Sequence, residues 1–104
     1  MNTKQEKPFH PVIVEVPYMR TYQTVMREHG GSLPSDPMEA VRQVLNLVKD
    51  IAVTNAKKKA KDIKSNFFAA VKDIDPATDT ILVNVWIEDE KEALLFKIEN
   101  GGAA

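Results

Sequence analysis

MEAVRQVLNLVKDIAVTNAKKKAKDIKSNFFAAVKDI, residues 38–74, runs for 37 residues without glycine or proline. How this stretch folds decides the architecture. Asp36-Pro37 precedes it with a helix start. Asp36 can accept bonds from free backbone N–H groups, Pro37 sits where its missing N–H does no harm, and Glu39 can reach back to the cap. The apolar and small positions then run Val41, Leu45, Val48, Ala52, Ala56, Ala60, Ile63, Phe67, Ala70 and Ile74. Steps of three and four describe a heptad-like seam with one stutter at the alanines. Read so, residues 38–74 form one helix ~55 Å long at ~1.5 Å per residue. A compact domain of this size is about 35 Å across, so the helix protrudes. A protruding seam needs cover, and a second copy is the commonest cover. The alternative is a break near Thr54-Asn55, which gives an antiparallel helix hairpin within one chain.

Upstream, His10 to Val16 is β-branched and mostly apolar, which favours a strand. Pro11 and Pro17 bracket it and place it at a sheet edge. Tyr18 to His29 reads as a helix with Pro17 at its start and Gly30-Gly31 at its end; Val16 is a poor N-cap for it. Downstream, Thr80 to Ile87 alternates. Ile81, Val83, Val85 and Ile87 share one face, and Leu82, Asn84 and Trp86 the other. Ala93 to Ile98 reads as a further strand, closing a hairpin in which Val85 meets Leu94, Val83 meets Phe96 and Ile81 meets Ile98. The expected fold is α+β: one domain over residues 1–104, with a three-stranded antiparallel sheet packed on helices in the order β-α-α-β-β. Residues 1–8 and 100–104 are expected to be flexible.

Composition supports a globular chain: of 104 residues, 43% are hydrophobic and 28% charged. The absence of cysteine excludes disulfides, thiolate catalysis and cysteine zinc sites. No apolar leader and no run of about 18 apolar residues occurs, so the chain is expected in the cytoplasm and off the membrane. Residues 1–61 carry 10 basic and 6 acidic side chains, whereas residues 62–104 carry 4 and 9. A molecule split this way can attract an anion at one end or pair head to tail with a copy of itself.

Catalytic patterns are missing from the sequence. No serine lies in a Gly-x-Ser-x-Gly context. His29 suits a helix C-terminus, and nothing in the spacing pairs it with His10 for a metal. Asp73, Asp75 and Asp79 fail the calcium-loop pattern at Ala77, Thr78 and Asn84. Asp79 with Asp89-Glu90-Lys91 only superficially matches the acid and lysine set of a metal-dependent nuclease. Glu88, Asp89, Glu90 and Glu92 read better as an acidic hairpin tip. The expectation is a protein that is not an enzyme and holds no metal or cofactor.

Binding features are clearer. Tyr18, Arg20 and Tyr22 stand at a strand-to-helix junction, where free N–H groups attract anions, and Arg27 follows two turns on. Lys57, Lys61 and Lys64 would line one side of the long helix. These seven residues are the candidate ligand contacts, for a nucleotide-like anion or single-stranded nucleic acid. Ile13, Leu82, Trp86 and Leu95 form an apolar set opposite the expected core, and Ala52, Ala56 and Ala60 form the small-residue seam; both are candidate protein interfaces. The leading expectation is thus a homo-oligomeric binding protein that sequesters an anionic ligand. The alternative is a small interaction module, an inhibitor or adaptor that docks an enzyme through the sheet face and the acidic tip.

Overall fold

Ile81, Val83, Val85 and Ile87 are all fully buried, and the strand that carries them is the centre of the molecule. The computed structural model describes residues 8–100. Its elements are β1 (His10–Pro17), α1 (Tyr18–His29), α2 (Pro37–Lys59), β2 (Phe67–Asp75), β3 (Thr80–Ile87) and α3 (Glu90–Glu99). The fold is α+β, with one antiparallel sheet in the order β1-β3-β2. The β-α-α-β-β order holds, followed by a third helix. The flexibility expected of residues 1–7 and 101–104 lies outside the described residues. No helix among the described residues is long and apolar enough to cross a membrane.

The two outer strands explain the sheet. Pro11 and Pro17 lie in β1, an edge strand, where their missing N–H groups break no central ladder. β1 pairs with β3 from His10↔Ile87 to Pro17↔Thr80, and β2 pairs with β3 from Phe67↔Ile87 to Asp75↔Thr80. An irregularity between Val71 and Asp73 marks a bulge at Lys72 on the second edge, a device that discourages further strand pairing.

The 38–74 helix is not continuous, nor is it an antiparallel helix hairpin. α2 starts as expected, with Asp36 accepting the Glu39 N–H at 3.1 Å. The reciprocal half of the cap is absent, because the Glu39 carboxylate pairs with Arg42 at 2.8 Å. The helix then stops at Lys59. Ala60 and Lys61 donate to the Lys57 and Lys58 carbonyls, and Ile63 donates to Ala60. Such i to i+3 bonds tighten and unwind the last turn without glycine or proline. Three lysines at this end suit the negative pole of the helix dipole. The alanine seam is not exposed: Ala52, Ala56 and Ala60 are 0–1% accessible and join the core beneath the sheet. Their small size lets α2 lie close to the strands.

Residues 67–75 form β2 because Phe67, Ala69, Val71 and, past the bulge, Ile74 pack against the core. The expected strand Ala93–Ile98 is likewise a helix. Asp89 caps α3 by accepting the Glu92 N–H at 2.9 Å. Ala93 and Phe96, three apart, are 5% and 2% accessible, whereas Leu94 and Ile98 face solvent. A spacing of three with mixed burial is helical; a strand would have buried Leu94, Phe96 and Ile98 together.

The weak N-cap of α1 is repaired from 60 residues away. Pro17 offers no side-chain cap. Instead Asp79, in the β2–β3 turn, accepts the Tyr18 N–H on its carbonyl at 3.2 Å and the Met19 N–H on Oδ1 at 2.6 Å. Asp79 has φ 55, a left-handed conformation that Asp tolerates better than most residues. At its far end α1 tightens into a 3₁₀ turn over Gly30–Ser32, and Gly30 keeps a right-handed φ of −57. Replacing Asp79 by Ala removes the cap and strains the turn, and should cost about 2 kcal/mol in chemical denaturation. Asp79→Gly relieves the strain but not the missing cap and should cost about 1 kcal/mol, whereas Asp79→Asn should be close to wild type.

Candidate functional site

All three helices bury side chains in one cluster on the inner face of the sheet. The outer face therefore has no covering layer among the described residues. Three cross-strand rows build it: Phe68, Trp86 and Pro11; Ala70, Asn84 and Ile13; Asp73, Leu82 and Glu15. Period-two alternation puts each row on the side opposite the core. Phe68 stacks on Trp86 with centroids 4.9 Å apart and planes 18° apart. Phe9, from the segment entering β1, tilts onto Phe68 at 5.4 Å. Phe68 remains 49% accessible and Ile13 44%. Trp86 and Leu82 are half-buried. One end of the face is thus aromatic and the other carries the Glu15 and Asp73 carboxylates. Aromatic pairs of this geometry contribute about 0.5–1.5 kcal/mol beyond their area, so the cluster is held in shape while still open.

Of the expected interface residues, Ile13, Leu82 and Trp86 are therefore assembled on one surface. Leu95 is not with them. It sits on α3 and is 59% accessible. Ala52, Ala56 and Ala60 are core residues, as above. Phe68 is the member that the helical reading of 38–74 hid; Phe67, Ala69 and Val71 alternating with Phe68 and Ala70 was the signal for it.

The expected anion contacts are not brought together. Tyr18 and Tyr22 stack on each other at 6.1 Å along one face of α1. By helical periodicity Arg20 and Arg27 lie well around from that face, and Arg27 donates to Thr24 Oγ1 at 3.5 Å. The leading N–H groups of α1 are already taken by Asp79, which places a carboxylate where a phosphate was expected. Lys57 lies in the last turn of α2, while Lys61 and Lys64 lie beyond it, so the lysine row does not form. These lysines precede the start of β2, at the opposite end of the sheet from Tyr18.

The acidic segment is internal scaffolding more than a tip. The Glu92 carboxylate accepts the Lys64 N–H at 2.8 Å and the Ser65 N–H at 3.0 Å. The Lys64 amide, then the Ser65 hydroxyl and amide, hold its carboxyl below the usual range, with a smaller push from the Lys64 charge. The Asp89 N–H donates to Ser65 Oγ at 3.2 Å, and Asn66 donates to Glu88 at 3.2 Å. These bonds tie the start of α3 to the loop between α2 and β2. Asp79 and Asp89 lie past opposite ends of β3, roughly 26 Å apart at ~3.3 Å per residue, so one metal ion cannot bridge them. Among the described residues no group of three or more His, Asp or Glu side chains is placed to hold a metal. No protein-family model, no curated protein and no solved structure matches the chain.

Proposed function

We propose that this chain is a non-enzymatic interaction module of the cytoplasm, an adaptor or inhibitor that docks a protein partner on the outer face of its sheet. The observation that carries the reading is the Phe9–Phe68–Trp86 stack, fixed by mutual contact yet left without a covering layer. Apolar patches of this kind mark interaction sites, and aromatic residues supply most interface hot spots. The partner surface that fits is apolar, with a cation beside it for Glu15 and Asp73. The scatter of the tyrosines, arginines and lysines over both ends of the molecule lends the anion-sequestering expectation less support.

Trp86 is the single tryptophan of the chain, so its fluorescence reports directly on this face. On titration with a partner isolated by crosslinked capture, Trp86 emission should shift to shorter wavelength as water leaves the ring. Phe68→Ala should weaken the partner about 30-fold, the effect of losing a 2 kcal/mol hot spot. Unchanged emission at saturation, or wild-type affinity in Phe68→Ala, would refute the reading.

A further inference from the structure

α3 is apolar all round. Ala93 and Phe96 face the core, while Leu94, Leu95 and Ile98 are 59%, 59% and 61% accessible. A helix without a polar face is normally covered on every side, and α3 is covered on one. Its inner face is fixed to the molecule that carries it, through Phe96 in the core and the Asp89 and Glu92 bonds at its start. The outer stripe therefore needs cover from elsewhere.

A surface of matching form lies between α1 and α2. Tyr18, Tyr22 and Met26, spaced four apart, form one wall; Val41 and Leu45 form the other, and Leu33 closes an end. The groove holds about 330 Å³. Val41 is 67% accessible, Leu45 41% and Met26 36%. Stacked tyrosines and a methionine make an adaptable wall of the kind that receives one face of an amphipathic helix.

Charge selects the occupant. At ~100° per residue, Arg42 and Lys49 follow Leu45 around α2, and Arg27 and Arg20 stand beyond Met26 on α1. The acids Glu28, Glu39 and Asp50 lie on the faces turned away from the groove. Both rims are thus cationic. On α3 the same geometry puts Glu90 on one flank of the Leu94–Leu95–Ile98 stripe and Glu99 on the other, with Lys91 at its head. An apolar stripe edged by acids meets an apolar groove edged by bases.

We propose that α3 of one copy of this chain seats in the α1–α2 groove of a second copy, with Leu94, Leu95 and Ile98 filling it and Glu90 and Glu99 facing its basic rims. The chain's own α3 cannot reach the groove while Ala93 and Phe96 remain in the core. Two copies that exchange α3 reciprocally make the contact twice and close a two-fold dimer. The surface is separate from the outer sheet face, so the two readings stand or fall independently.

Sedimentation velocity tests this with Leu45→Glu in the groove and Ile98→Glu on the stripe, both accessible positions, with folding checked by circular dichroism. The wild type should associate in the micromolar to submillimolar range. Each variant should raise the dissociation constant tenfold or more. An equimolar mixture of the two variants should associate better than either alone, because the first supplies an intact stripe and the second an intact groove. Trp86→Ala should associate as the wild type does. A wild type that stays monomeric across the range overturns the proposal. So does a mixture that fails to recover, or self-association that Trp86→Ala abolishes and both charged variants leave intact. Capture of a foreign amphipathic helix by a wild type that does not self-associate gives the groove a different occupant and also overturns it.

Discussion

Phe96→Ala should destabilise the chain by about 3–5 kcal/mol, the usual range for a large aromatic lost from a core. Phe96 is 2% accessible and lies in the single buried cluster that joins the sheet to its helices. A domain of this size has a total stability of roughly 5–15 kcal/mol, so the variant keeps little margin and should melt 15 °C or more below the wild type. The neighbours give the contrast. Leu94→Ala and Ile98→Ala remove side chains that are about 60% accessible and should each change stability by about 0.5 kcal/mol or less. A strand at 93–98 would put all three residues on one buried face and make the three losses comparable. Thermal melts at a dilution that suppresses self-association separate the two patterns.

Ala56→Leu carries the second large effect. Ala56 has no accessible surface, and α2 lies over the strands at the distance an alanine allows. Three added carbons must be met by displaced neighbours, which costs about 1–3 kcal/mol and more where the backbone cannot give. On an exposed seam the same change would be neutral or would strengthen helix association. A loss of 2 kcal/mol or more in denaturant titration supports the buried stripe; a wild-type midpoint contradicts it.

These two positions also show where the sequence was legible and where it was not. Asp36-Pro37 marked the start of α2, and the alternation of Ile81 to Ile87 fixed both faces of β3, because each signal is local and has one physical solution. The end of α2 carried no such signal. Ala60 stops it by a tightened turn that needs no special residue. Residues 63–74 satisfy a heptad and an alternation equally well, since Phe67 belongs to both patterns. What decides is β3, whose second edge needs a partner strand that only residues 67–75 provide. The same ambiguity affected Ala93 to Ile98, where Leu94, Phe96 and Ile98 alternate but Asp89 and Glu92 begin a helix. Of the candidate surface, Ile13, Leu82 and Trp86 were readable from alternation alone. Phe68 was hidden by the helix assigned over it, and the Asp79 cap was hidden because its partners lie 60 residues apart.

The pairing of β1 with β3 has a cost that is paid in time. The partners stand roughly 60–80 residues apart along the chain, and a loop that long must close before the pair gains any bond. β2 and β3 are neighbours in sequence and can zip first, leaving a two-stranded ribbon with one bare flank. At a synthesis rate of about 5–20 residues per second, β1 waits several seconds in the open for the strand it will join. Through that interval the prolines at its second and last positions leave an intruding strand few amides to bond.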